Sequence, residues 1–297
     1  MTDRNPPIQW RAIVRGVAIV YGVTLSNLRY MNLYQERQIR EPTLAMGKPD
    51  HQDIPLHRAI IVAIYLMLFV RFALLPYPVN TIAWLGEEDG LVENAGALCF
   101  LLAGAVFLVA AHRSSGLHRQ CDTNPIENPQ ALLALGALCL ICFGEEISWG
   151  QRLFHYPVPA WLASINRQGE WNLHNLNWFQ ATTAEGADKS FWERLINMNR
   201  LLALFQLTLC TLAPMLTAYS ATLRTWGARI GLPIVPWWIA GLVPAHILIT
   251  QALSAIVAER PPSVGSTFDE INETYRAFIF LVVAVWVYRR TTATPSI

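Results

Sequence analysis

The stretch Ala131-Leu-Leu-Ala-Leu-Gly-Ala-Leu-Cys-Leu-Ile-Cys-Phe-Gly-Glu-Glu146 decides the fold. A helix climbs about 1.5 Å per residue and a bilayer core is about 30 Å thick, so the apolar part, Ala131 to Gly144, is too short to cross alone. A helix entering at Ala131 carries Glu145 to roughly 9 Å from the far edge. Carboxylates at that depth are expensive and mark function by default.

The rest of the chain supports a membrane setting. Of its residues 53% are apolar and only 14% charged, which excludes most soluble globules and points to an all-α, polytopic transmembrane bundle. Five stretches could span as helices: Ala59 to Leu75, Leu91 to Ala111, Ala131 to Ser148, Leu201 to Ala221 and Trp237 to Ala258. A sixth, Ala277 to Tyr288, needs extension, which gives about six spans. The polar start, with Pro6 and Pro7, lacks the pattern of a cleaved signal peptide. Ile13 to Leu25 is apolar but interrupted by Arg15 and Gly22 and flanked by basic residues on both sides, so it reads as an interfacial helix. The economical division is one membrane domain over 1–297. Residues 1–55 form its cytoplasmic or interfacial start, 56–290 the bundle, and 153–200 a long aromatic-rich extracytoplasmic loop.

Charge orients the spans. Arg113, Arg119, Arg224, Arg229, Arg289 and Arg290 fall on one side, which the positive-inside rule makes cytoplasmic along with both termini, as expected in a bacterial cytoplasmic membrane. The acidic segments fall on the other. Four cysteines lie within expected spans, and Cys139-Leu-Ile-Cys142 is read as a pair of small hydrophobes. A formal net charge of +1 suggests no nucleic-acid partner.

Candidate chemistry gathers on the extracytoplasmic side. Extending the last span outward from Tyr288 brings Asp269 to Arg276 into the helix, with Glu273 and Arg276 in the outer half. Arg71 stands roughly 18 Å up the first span and Glu93 opens the second. If the third helix continued, Glu145, Ser148, Trp149 and Arg152 would share one face. Glu145, Glu146, His174 and Glu273 are therefore the expected catalytic groups. Arg71, Ser148, Gln151, Arg152, Asn172, Asn175 and Arg276 are the expected substrate-binding groups. The bland alternative is an ion-pair network in which Arg71, Arg152 and Arg276 neutralise Glu145, Glu146 and Glu273.

Two motifs stand close together: Gly144-Glu-Glu-Ile-Ser-Trp-Gly-Gln-Arg152, and Gln168-Gly-Glu-Trp-Asn-Leu-His-Asn175 preceded by Asn166. Over residues 144–175 the chain resembles a family of uncharacterised bacterial multi-pass membrane proteins. That resemblance implies a membrane protein and no mechanism.

Three functions fit these expectations. The first is an interface enzyme, a hydrolase or transferase acting on a lipid or lipid-linked substrate. A divalent metal could be held there by Glu93, Glu145, His174 and Glu273. The second is a non-catalytic subunit or assembly factor that docks a protein partner, and the third a proton- or ion-coupled transporter. No His-Glu-x-x-His or paired Glu-x-x-His pattern supports a standard metal site, and no Gly-x-Ser-x-Gly elbow makes Ser148 a nucleophile.

Overall fold

The computed structural model describes residues 53–87, 90–120, 128–180, 182–183, 187–231 and 233–292; among them the regular elements are helical, with no strand. The chain divides into two compact units, Met1–Ile60 and Ile61–Ile297, and the second carries the candidate site and every side-chain contact described below. The expected interfacial helix at 13–25 lies outside the described residues. Helix α1 (Asp53–Met67) has a short apolar part, Arg58–Met67. Five further helices are long and apolar enough to cross a membrane: α2 (Leu91–Gln120), α3 (Pro129–Glu146), α4 (Met198–Tyr219), α5 (Trp237–Val257) and α6 (Pro262–Thr292).

The first expected span, Ala59 to Leu75, is not one helix. α1 stops at Met67, and Val70–Leu74 winds as a 3-10 turn that carries Arg71 into the interior. Pro76 follows it, and Pro78 caps a short separate helix, Val79–Leu85. The break turns inward a guanidinium that a straight span could leave facing lipid.

α2 lies between α3 and α6 and packs along both. Apolar side chains gain little by leaving one another for lipid tails, so close backbone approach and interhelical hydrogen bonds hold such a bundle. Gly104 and Gly136 supply the approach towards α3. A Cβ on Gly104 would stand 3.2 Å from the Gly136 carbonyl oxygen, and one on Gly136 3.3 Å from that of Gly104. Towards α6, Thr274 packs over Gly96 and its hydroxyl donates to the Val92 carbonyl at 2.9 Å. Phe100 packs against Phe280 with centroids 6.1 Å apart, and Phe205 of α4 stacks on Phe280 at 6.3 Å.

Prolines explain the irregularities of α4 and α5. Pro214 lacks the N–H that would complete the preceding turn, and Thr208–Leu212 is wound as a π-turn just before it. Pro244 likewise offers nothing to the Ala240 carbonyl, and that oxygen accepts from the Thr211 hydroxyl of α4 at 2.8 Å. At the adjoining break, Tyr65 donates to the Trp238 carbonyl at 2.8 Å. Gly241 leaves room for that phenol, because a Cβ there would lie 2.5 Å from its oxygen.

α6 runs unbroken from Pro262 to Thr292, so Asp269 to Arg276 do continue its apolar part. α3 does not continue. It ends at Glu146, and the helical face expected to join Glu145, Ser148, Trp149 and Arg152 is absent.

Candidate functional site

α3 ends because Ser148, Trp149 and Gly150 all turn left-handed, with φ of 46°, 53° and 83°. Side chains in that region cost about 1–2 kcal/mol each, so the first two need local support. The Trp149 ring lies across Gly144, where a Cβ would meet it at 2.9 Å. Its indole N–H donates to Glu145 Oε1 at 2.8 Å, and the Tyr156 hydroxyl donates to the Trp149 carbonyl at 3.0 Å. Glycine at 144, carboxylate at 145 and tryptophan at 149 are thus one device.

Glu145 also holds the second motif. Its Oε2 accepts from the backbone N–H groups of Leu173 and His174, the latter at 3.0 Å, and lies 3.5 Å from His174 Nδ1. Burial by itself would lower the proton affinity of His174. The hydrogen bond with Glu145 and the charges of Glu146 and Glu273 outweigh that effect, so the imidazole binds its proton above the ordinary value of 6.5.

Beside this clamp is a buried polar network. The Ser148 hydroxyl donates to Glu170 Oε2 at 2.6 Å, and Asn172 Nδ2 donates to Glu170 Oε2 at 2.9 Å and to Ser148 Oγ at 3.0 Å. Asn166 Nδ2 donates to Asn172 Oδ1 at 2.9 Å, while Asn166 Oδ1 accepts from the backbone of Gln168 and Glu170. Gln151 Oε1 accepts from the Trp171 N–H at 2.8 Å. Ser148, Gln151 and Asn172, expected to bind substrate, are here occupied in joining the two motifs. Asn175 likewise binds within its own motif, donating to Gln168. Asn166 and Glu170 complete the network; both stand in the quoted motif, and their burial was the missing signal. The side chain of Arg152 lies outside the described residues.

The remaining carboxylates act electrostatically on His174 and on one another. Glu146 joins none of these bonds; the charges acting on it are those of Glu273, His174, Glu93 and Arg276. Glu270 lies within reach of the same group. Glu273 accepts from Asn199 Nδ2 and pairs with Arg276 Nη2 at 3.5 Å, and Arg276 donates to Asn199 Oδ1 at 3.1 Å, tying α4 to α6. α2, α3, α6 and the 168–175 segment therefore all supply charge here.

Arg71 is elsewhere. It is buried, its Nη1 donates to Thr250 Oγ1 at 3.1 Å and to Asn272, its Nε donates to the Leu68 carbonyl, and its guanidinium lies 4.5 Å from the Tyr275 ring centroid. It pairs with no glutamate among the described residues. Of the neutralising network sketched from sequence, the pair Glu273 and Arg276 is present.

A pocket of about 470 Å³ opens on the near side of Glu145. Trp149, Trp161, Trp171, Leu162, Leu173 and Leu176 give it an apolar lining, with Glu145 and Asn172 as its polar groups. Its size lies within the range of ligand pockets. Glu145 thus belongs to both pocket and clamp: it lines the tryptophan-rich pocket and pairs with His174, on which the charges of Glu146 and Glu273 act.

Among the described residues no three His, Cys, Asp or Glu side chains are grouped to hold a metal ion. Glu93, Glu145, His174 and Glu273 do not make a preformed set, since Glu145 is spent on amides, indole and imidazole. Comparison of the chain with protein-family models, with curated proteins and with solved structures finds no match.

Proposed function

We propose that this is a bacterial cytoplasmic-membrane enzyme that acts on a lipid or lipid-linked substrate at the extracytoplasmic interface. The carrying observation is that Glu145, the carboxylate of an apolar, tryptophan-lined pocket, pairs with His174, on which the charges of Glu146 and Glu273 act. An amphiphile has the same two-part character. Its chain would lie among Trp149, Trp161 and Trp171, and its polar head would reach His174 and the carboxylates. α1 with the 70–74 turn serves as a sixth crossing element, both termini are cytoplasmic, and the exposed Trp178 and Trp192 sit at headgroup level.

The chemistry is acid and base catalysis. His174, whose proton is held more tightly than in a free imidazole, donates to the leaving group. Glu146, free of the hydrogen bonds that occupy Glu145, takes the proton of the attacking water or hydroxyl. Arg276, held by Glu273 and Asn199, offers a cation to an anionic head. No step is routed through a metal. The second reading, a docking subunit, draws on the exposed aromatics of 178–192 but leaves the pocket beside the Glu145 and His174 pair unexplained.

The test is incubation of the protein in nanodiscs with bacterial lipid extract and with lipid-linked sugars, with products followed by mass spectrometry. Glu146→Gln and His174→Gln should each abolish turnover, while wild type and both variants carry the same co-purified lipid. Unchanged turnover in both variants, or no bound lipid and no product in wild type, overturns the proposal.

A further inference from the structure

The centre around Arg71 lies apart from that site and has its own unexplained charge. Arg71 is 1% exposed, and His246, one turn before the Arg71 partner Thr250 on α5, is 3% exposed. Both pack on Tyr275: the guanidinium lies 4.5 Å from the ring centroid, and the imidazole stacks at 6.2 Å and 27°. Arg71 Nε and Nη1 meet only neutral acceptors, the Leu68 carbonyl, Thr250 and Asn272. Its Nη2 and the His246 Nδ1 are buried with no hydrogen-bond partner among the described residues.

A guanidinium taken out of water retains a penalty that neutral acceptors reduce and only opposite charge cancels. Glu273, the residue next to Asn272, faces Asn199 and Arg276. The cations acting on His246 are Arg71 and Arg276, with no carboxylate among them. We propose that Arg71 Nη2 and His246 Nδ1, between the 70–74 turn, α5 and α6, bind one small monovalent anion of the halide class. Enclosure sets the size: Arg71, His246 and Asn272 are each at most 3% exposed, which leaves a lipid phosphate no path for its glycerol and chains. The anion joins three elements through contacts none of them makes alone, so its effect is on stability and helix position.

The experiment is thermal unfolding of the full chain in uncharged nanodiscs at fixed ionic strength, with chloride or bromide titrated against gluconate. A saturable rise on the order of 5 °C is expected as the halide passes well above its dissociation constant. Arg71→Met should abolish that rise. His246→Phe, which keeps the arginine and the ring on Tyr275, should weaken halide affinity about tenfold and serves if Arg71→Met does not fold. Tyr219→Phe, far along α4 and exposed, should titrate as wild type. Wild-type unfolding indifferent to the anion overturns the proposal. So does a halide response retained in Arg71→Met, or undiminished in His246→Phe. Stabilisation by phosphatidylglycerol nanodiscs but not by halide also overturns it, in favour of a lipid headgroup.

Discussion

Replacing Glu145 by glutamine tests the clamp most directly. The carboxylate accepts from the Trp149 indole, from two backbone amides and from His174, and it has four lone-pair directions to do so. A glutamine has one acceptor oxygen. If that oxygen keeps the Leu173 and His174 amides, the new NH2 group confronts the Trp149 N–H, donor against donor. One unpaired donor and the loss of charge assistance together cost about 2 kcal/mol. Opening of the 168–175 segment should therefore rise about thirtyfold, read as faster hydrogen exchange at the Leu173 and His174 amides. The effect must depend on pH. Because His174 binds its proton above 6.5 in the folded state, its interaction with Glu145 contributes fully below that value and is lost as pH rises through the higher folded one. Wild-type protection should fall as pH rises above 6.5 and through the higher folded value, beyond the intrinsic exchange trend, and Glu145→Gln should show no such fall. Unaltered exchange at both amides, or an identical pH profile in the variant, would refute the clamp.

Other substitutions probe separate contacts. Gly144→Ala puts a methyl 2.9 Å from the Trp149 ring and should destabilise by about 1–3 kcal/mol, seen as a lower melting temperature and altered Trp149 fluorescence. Ser148→Ala leaves the buried Glu170 and Asn172 each one partner short; a loss of about 1–3 kcal/mol in chemical unfolding is expected. Gly104→Val should force α2 from α3 and cost about 1–3 kcal/mol, measured by unfolding in mixed micelles. Trp161→Ala should reduce co-purified lipid while leaving the melting temperature within a few degrees of wild type, since that side chain is largely exposed.

The helices were legible because a bilayer demands long apolar runs, and the shortness of 131–144 and of 277–288 located the carboxylates. The turn at 148–150 was not. Only Gly150 announces a left-handed conformation, whereas Ser148 and Trp149 adopt it through contacts with Glu145, Gly144 and Tyr156 that no spacing encodes. Extending the helix through them produced a shared face that does not exist. The acceptor role of Glu145 was hidden for a related reason: its partners are backbone amides, and every residue carries one. Arg71 was placed correctly as an inward charge, but which side chains face it across three elements depends on helix rotation. The same holds for Asn166 and Glu170, visible as polar letters in a motif and identifiable as a network only once both are seen buried.

The bond from Thr211 to the Ala240 carbonyl bears on the order in which the bundle is built. Pro244 leaves that oxygen without a partner of its own helix, and an isolated α5 would carry it into hydrocarbon unsatisfied. Synthesis delivers α4 first, so the hydroxyl that satisfies α5 is already in the membrane when α5 emerges. The π-turn that aims Thr211 makes α4 an assembly template for the helix that follows it.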